Sequence, residues 1–174
     1  LAVHPVPWHA RVRVAASGQA CSWSQSVTAA VIVPNPIHTA CLYTPGCSCP
    51  GHTEYLSSLA TRMPGGPVMM LACDKLRVVP ATVHIPIKKV PNSITTGLII
   101  EKCALMHYCL QASFGIQYPR IAICGLNPHA GEDGRMGEED GKVILPAIQQ
   151  LVSFGVNATG PHPADTLFHT EARG

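Results

Sequence analysis

The chain has 174 residues, of which 47% are hydrophobic and 13% charged, with a formal net charge of +2. That length suits one good core, as a single domain or part of a larger one, and the composition excludes a disordered acidic or basic chain. Lys88–Lys89 is the only adjacent basic pair, so no basic stripe points to a nucleic-acid partner, and no run reaches the roughly 18 apolar residues that suggest a membrane span.

Residues 1–26 hold both tryptophans and show no sustained period. They are left unassigned, without expected order, and the breaks at His4, Pro5 and Pro7 argue against a signal peptide. From about residue 27 the pattern becomes regular. The apolar runs "VTAAVIV" (27–33), "PVMMLAC" (67–73), "LRVVPATVH" (76–84) and "RIAIC" (120–124) read as buried strands. The segment 93–115 reads as a helix, because Ile99, Cys103, Met106 and Leu110 fall on one face. Ser93 is expected to cap its start and Gly115 its end. A second helix is expected to run to Gly155 with Ile144, Ile148 and Leu151 inward and Pro146 early or at a kink. Strands alternating with helices predict an α/β architecture.

The eight cysteines read as reduced thiols of a cytoplasmic protein. Cys41, Cys47 and Cys49 cluster, but "CSC" is too tight for an ordinary zinc ribbon, and Cys103, Cys109 and Cys124 sit in apolar segments where a thiol acts as a small hydrophobe.

Loops leaving the carboxyl ends of strands collect chemistry in α/β folds. That rule selects His84, closing "RVVPATVH", and His129, one short turn beyond "RIAIC". At adjacent strand ends, about 4.8 Å apart, two imidazoles can share a metal ion, with a third ligand still required. The alternative is a pair of solvated loop histidines. In "PGHTEYLSSLA" (50–60), Thr53 can cap a helix beginning at Glu54, with His52 beside its positive end. Such an end suits a phosphate, and equally it is an ordinary capped helix. "GEDGRMGEED" (131–140) lacks the order of an EF-hand loop, and its acids are expected to lead into the next helix.

"GHTEYL", "LRVVPATVHIPI", "PRIAICGLNPHAGEDGRMGEED" and "GPHPADTLF" occur in one order. Together they closely resemble the 4-hydroxythreonine-4-phosphate dehydrogenase family of vitamin B6 biosynthesis, strongly over 51–168 and more weakly over 29–43. The resemblance implies an α/β, partial isocitrate/isopropylmalate dehydrogenase-like fold truncated at both ends, with residues 27–174 forming part of the catalytic region. It further implies a homodimer with its active site at the subunit interface, and NAD or NADP as cofactor. A divalent metal (zinc, magnesium or cobalt) would be held by three histidines. The substrate is a phosphorylated hydroxy-amino acid, 4-phosphooxy-threonine, whose alcohol is oxidised before carbon dioxide is lost. By motif position, His84 and His129 match two metal ligands, His52 and Thr53 a substrate-binding pair, and Asp165 a further catalytic candidate.

There are departures. Members run to roughly twice this length, a size at which chains usually divide into two lobes. The "YHDQG" segment expected to carry the third histidine is not found, nor is the early "TPGEPAGIG"-like stretch. Thr39 stands where a lysine is expected, "TPGCSC" (44–49) replaces an "AAGF"-like turn, and residues 1–26 match nothing recognised in the family. The alternatives are an inactive remnant, a metal- or phosphate-binding module, or a relative acting on threonate or erythronate 4-phosphate.

Overall fold

The structure is a computed structural model and describes residues 7–26, 28, 31–34, 52–59 and 68–170. The chain divides into two units, Leu1–Pro67 and Val68–Gly174.

In the first unit, α1 (Pro7–Gln25) occupies most of the segment that shows no period in the sequence. Pro7 stands at its first position, where the missing N–H has no helical partner to lose. α2 (His52–Leu59) packs against α1. The Tyr55 hydroxyl donates to the Val14 carbonyl at 3.1 Å, and Gln25 Nε2 donates to the Leu59 carbonyl at 2.8 Å. α2 starts at His52, so Thr53 lies inside its first turn and is not the cap expected from the sequence. The strand expected over 27–33 is not seen in its described part. Residues 31–34 form no regular element, and Val31 and Val33 are 72% and 84% exposed. Apart from Thr28, the rest of that run lies outside the described residues, as do Cys41, Cys47 and Cys49.

The second unit opens with a hairpin. β1 (Leu71–Cys73) and β2 (Leu76–Val78) pair antiparallel across Asp74 and Lys75, with Ala72 opposite Arg77. Both strands are shorter and less buried than the apolar runs suggest, and β1 is exposed throughout. β2 ends at Val78, so His84 does not close a strand; it lies in the loop beyond Pro80. An apolar run alone does not distinguish a buried strand from a short hairpin that continues as a loop.

A 3-10 turn (Ile87–Lys89) and α3 (Val90–Ser93) lead into α4 (Thr96–Ala112). The α4 cap is Thr95, whose hydroxyl accepts the Leu98 N–H at 3.1 Å. Ser93 instead ends α3, and its hydroxyl donates to the Lys89 carbonyl at 2.9 Å. The expected inward face is observed: Ile99 and Leu110 are buried, Cys103 and Met106 half-buried. Gly115, at φ 69°, lets the chain turn away past the helix end.

β3 (Arg120–Cys124) follows as expected, and β4 (Asn157–His162) pairs with it in parallel, with Ile121 opposite Ala158 and Cys124 opposite His162. Between them the chain returns through a π-helical turn (Asp140–Ile144) and α5 (Leu145–Ser153), with Pro146 in the first turn of α5. This β3–α5–β4 crossover is an α/β unit. Its core gathers Ile99 of α4, Ile121, Ile144, Ala147, Ile148, Leu151, Val156 and Ala158. The face expected of Ile144, Ile148 and Leu151 is therefore the buried one.

Candidate functional site

The carboxyl ends of β3 and β4 lie side by side, because the Gly125 N–H donates to the His162 carbonyl at 2.8 Å. Two loops leave from this point. One carries Asn127 and His129; the other leads to α6 (Ala164–Leu167), which includes Asp165 and packs against the first loop.

The first loop is built around a buried carboxylate. Asp140, 2% exposed, accepts the Leu126 N–H on Oδ1 at 2.8 Å. Its Oδ2 accepts the Asn127 N–H at 3.2 Å and the Asn127 side-chain amide at 2.9 Å. The same amide donates to Glu139 Oε2 at 2.8 Å, and this bond holds the Glu139 carboxyl below the usual glutamate range. Gly125 permits the close approach, since a Cβ there would lie 2.8 Å from Asp140 Oδ1 and 2.9 Å from Ala130 Cα.

Beyond Asn127 the backbone reverses its hand. His129, Ala130, Gly131, Glu132 and Asp133 have φ of 51°, 52°, 82°, 46° and 55°, one left-handed turn within Pro128–Gly134. Only Gly131 adopts this conformation freely. For the other residues it costs about 1–2 kcal/mol each. The turn is closed by Ala130 N–H to the Asn127 carbonyl at 3.1 Å and Met136 N–H to the Gly131 carbonyl at 3.0 Å. His129 is exposed on it. His84 is likewise exposed and likewise left-handed, at φ 56°. Strain of this kind concentrates at functional sites.

Of the candidates from sequence, His129 and Asp165 are thus brought onto neighbouring elements, and His84 lies in the same unit. His52 and Thr53 belong to the separately described first unit. Imidazole suits a divalent transition metal, but two histidines fall short of a catalytic set of three protein ligands. Among the described residues no group of three or more His, Cys, Asp or Glu can hold a metal ion.

The sequence reading missed Asp140 and Asn127, which hold the loop, and His162, whose Nε2 lies 2.9 Å from Thr159 Oγ1 at the end of β4. The density of glycine in 125–137 was the available signal for a tightly folded loop. Nearby, a groove of about 860 Å³ reaches from Gly125 and Leu126 to Leu167 and Phe168, and its described lining includes Arg77, Lys102 and Arg120 but no carboxylate.

Over residues 5–174 the sequence matches the family described as pyridoxal phosphate biosynthetic protein PdxA. The chain belongs to the PdxA family. It is similar to the 4-hydroxythreonine-4-phosphate dehydrogenase of Methylorubrum extorquens, 46% identical over 152 residues, covering 86% of this chain and 44% of that protein. The protein of the same name from Roseobacter denitrificans is 45% identical over 174 residues, covering 98% of this chain and 52% of its own length. In structure the chain is similar to the 4-hydroxythreonine-4-phosphate dehydrogenase of Klebsiella pneumoniae, with a TM-score of 0.88 at 29% identity, covering 99% of this chain and 52% of that one. A terephthalate 1,2-cis-dihydrodiol dehydrogenase from Burkholderia xenovorans, at 22% identity and a TM-score of 0.71, shares the fold. The chain spans about half the length of the curated PdxA-family relatives it matches. The family match includes residues 5–26, where the sequence alone shows no recognisable motif of the family.

Proposed function

We propose that this chain forms part of a 4-hydroxythreonine-4-phosphate dehydrogenase, oxidising the secondary alcohol of 4-phosphooxy-threonine with NAD or NADP, with decarboxylation following. The observation that carries this reading is the His129 turn, held in a strained conformation at the adjoining carboxyl ends of two parallel strands. Membership of a family whose relatives bear that enzyme's name supports it.

In this reading His84 and His129 supply two ligands to a divalent metal, and the third comes from the length that the relatives have in addition. A divalent cation so placed lowers the pKa of the alcohol and polarises the carbonyl as it forms. His52 and Thr53 bind substrate, with the amino end of α2 offering backbone N–H groups to its phosphate. Asp165, on α6 beside the His129 loop, serves the reacting end. The carboxylate-free, partly basic groove suits an anionic ligand such as a phosphorylated substrate or nucleotide. The isocitrate/isopropylmalate dehydrogenase-like fold, the homodimer and the cytoplasmic setting belong to the same proposal. Among the described residues no helix is long and apolar enough to cross a membrane.

A second reading, a metal- or phosphate-binding module without redox activity, draws on the lack of a three-ligand group among the described residues. A coupled assay tests both. 4-Phosphooxy-threonine, threonate 4-phosphate and erythronate 4-phosphate are each supplied with both nucleotides and a panel of divalent metals, beside a full-length relative. If the relative oxidises none of the three, the dehydrogenase reading fails; if His129→Ala in this sequence leaves zinc binding unchanged, the assignment of His129 as a metal ligand fails.

A further inference from the structure

We propose that Asp140 is a positioning residue for His129, acting through Asn127 and the backbone of Leu126 to hold the loop in its left-handed turn. The proposal deepens the functional reading above and rests on it for the use made of His129. Its geometry stands independently of any metal.

A carboxylate in an acidic run is ordinarily solvated, yet Glu138 of "GEED" is exposed and Asp140 is 2% exposed. Asp140 accepts three N–H donors, and all three belong to the two residues immediately before Pro128, which leads into the left-handed turn at His129. The carboxylate therefore fixes the direction in which the chain enters the turn. Packing keeps it there from two sides. Gly125 leaves room for Oδ1, and a Cβ at Gly131 would lie 3.2 Å from Oδ2. A side chain at Gly137 would run into the Asn127 amide, so the far limb of the loop also bears on the same group. His129 makes no hydrogen bond to Asp140. The carboxylate acts two residues away by setting the backbone from which the imidazole projects.

Such a device has a double readout. The full 174-residue chain is compared with its Asp140→Asn, Asn127→Ala and His129→Ala variants. Without metal, amide hydrogen exchange is followed at Leu126, Asn127, Ile148 and Leu151, and backbone couplings report φ at 129–133. With zinc, calorimetry reads affinity. Asp140→Asn replaces one acceptor oxygen with a donor and should speed exchange at Leu126 or Asn127 at least about tenfold. It should erase the left-handed couplings at 129–133, while Ile148 and Leu151 stay protected. Zinc affinity should fall by about 10- to 100-fold, as is usual when a group orienting a ligand is removed. Asn127→Ala keeps both backbone donors to Asp140 and should give a smaller loss.

Left-handed couplings that persist in folded Asp140→Asn would overturn the proposal, whatever zinc does. Should Asp140→Asn fail to fold, Asn127→Ala decides, and unchanged couplings and exchange there would overturn it as well. If the turn relaxes in Asp140→Asn but His129→Ala leaves zinc binding unchanged, the positioning role is supported and the metal-ligand reading alone is lost.

Discussion

Asp140 shows how one buried side chain sets local geometry. Four non-glycine residues in the left-handed region cost roughly 4–8 kcal/mol together, and three hydrogen bonds to a carboxylate contribute about 5–9 kcal/mol. The two are of one size, so the turn persists only while Asp140 is in place. Asp140→Ala should lower stability by about 3 kcal/mol in urea denaturation, because the stranded N–H donors lose part of what they gained. Gly125→Ala, which sets a methyl against Asp140 and the Ala130 backbone, should cost a similar amount, about 3 kcal/mol. Glu139 adds a pH dependence. Its folded-state value is lowered, first of all by the Asn127 amide. The stability it contributes is present above the ordinary glutamate value and is lost as pH falls through the lowered one. Asn127→Ala should therefore flatten the acid limb of the stability curve, read as urea midpoints. Cys103 has the opposite sign: burial pushes its thiol up to about 11. The stability linked to its protonated form is full below the ordinary thiol value and is lost as pH rises through about 11. At neutral pH a thiol reagent should label exposed Cys73 well before Cys103.

Among the elements, those with local causes were readable in the sequence. α4 has apolar residues at helical spacing, β3 is a short β-branched run bounded by Pro119 and Gly125, and α5 buries the face that Ile144, Ile148 and Leu151 define. α1 escaped notice because its apolar and polar residues are spread around the helix, so nothing in its period marks it. The hairpin and the His84 loop were misread for the converse reason. "LRVVPATVH" is apolar enough for a strand, yet Pro80 lacks the N–H that would continue the ladder. The left-handed turn was hard to read, since Ala130 and Glu132 do not announce positive φ, and the preference of His129 and Asp133 for it is too weak to mark a run of five. Nor does a carboxylate in "GEED" announce burial. Caps give a direct check at this scale. Thr95→Ala should destabilise by about 1 kcal/mol, while Ser93→Ala, away from the α4 cap, should change little in the same thermal melts. Leu151→Ala, at a fully buried position on α5, should cost about 2–5 kcal/mol.

At the scale of the molecule, the β3–β4 pair is the whole of its sheet among the described residues. Parallel sheets are ordinarily wider and covered on both faces, and open strand edges invite association. The apparent molar mass of the isolated chain by light scattering should rise with concentration, and Ala122→Lys, at an exposed position on β3, should reduce that rise. With only two of the three proposed histidine ligands and about half the relatives' length, the isolated chain should give no NAD(P)-dependent oxidation of 4-phosphooxy-threonine in the coupled assay. The resemblance seen in "GLNPHAGE" and "PADTLF" was therefore the part of the function most open to reading. Which elements bring those motifs together, and which buried group steadies them, depended on contacts between residues far apart in the chain.

The reversed hand of the His129 loop makes it a place where mirror-image chemistry has an advantage. A D-amino acid prefers the φ values that L-residues avoid. Gly134, exposed at φ 88°, accepts either hand in principle, but only D-alanine would find its own preferred conformation there. A semisynthetic chain with D-alanine at position 134 should melt above its L-alanine counterpart.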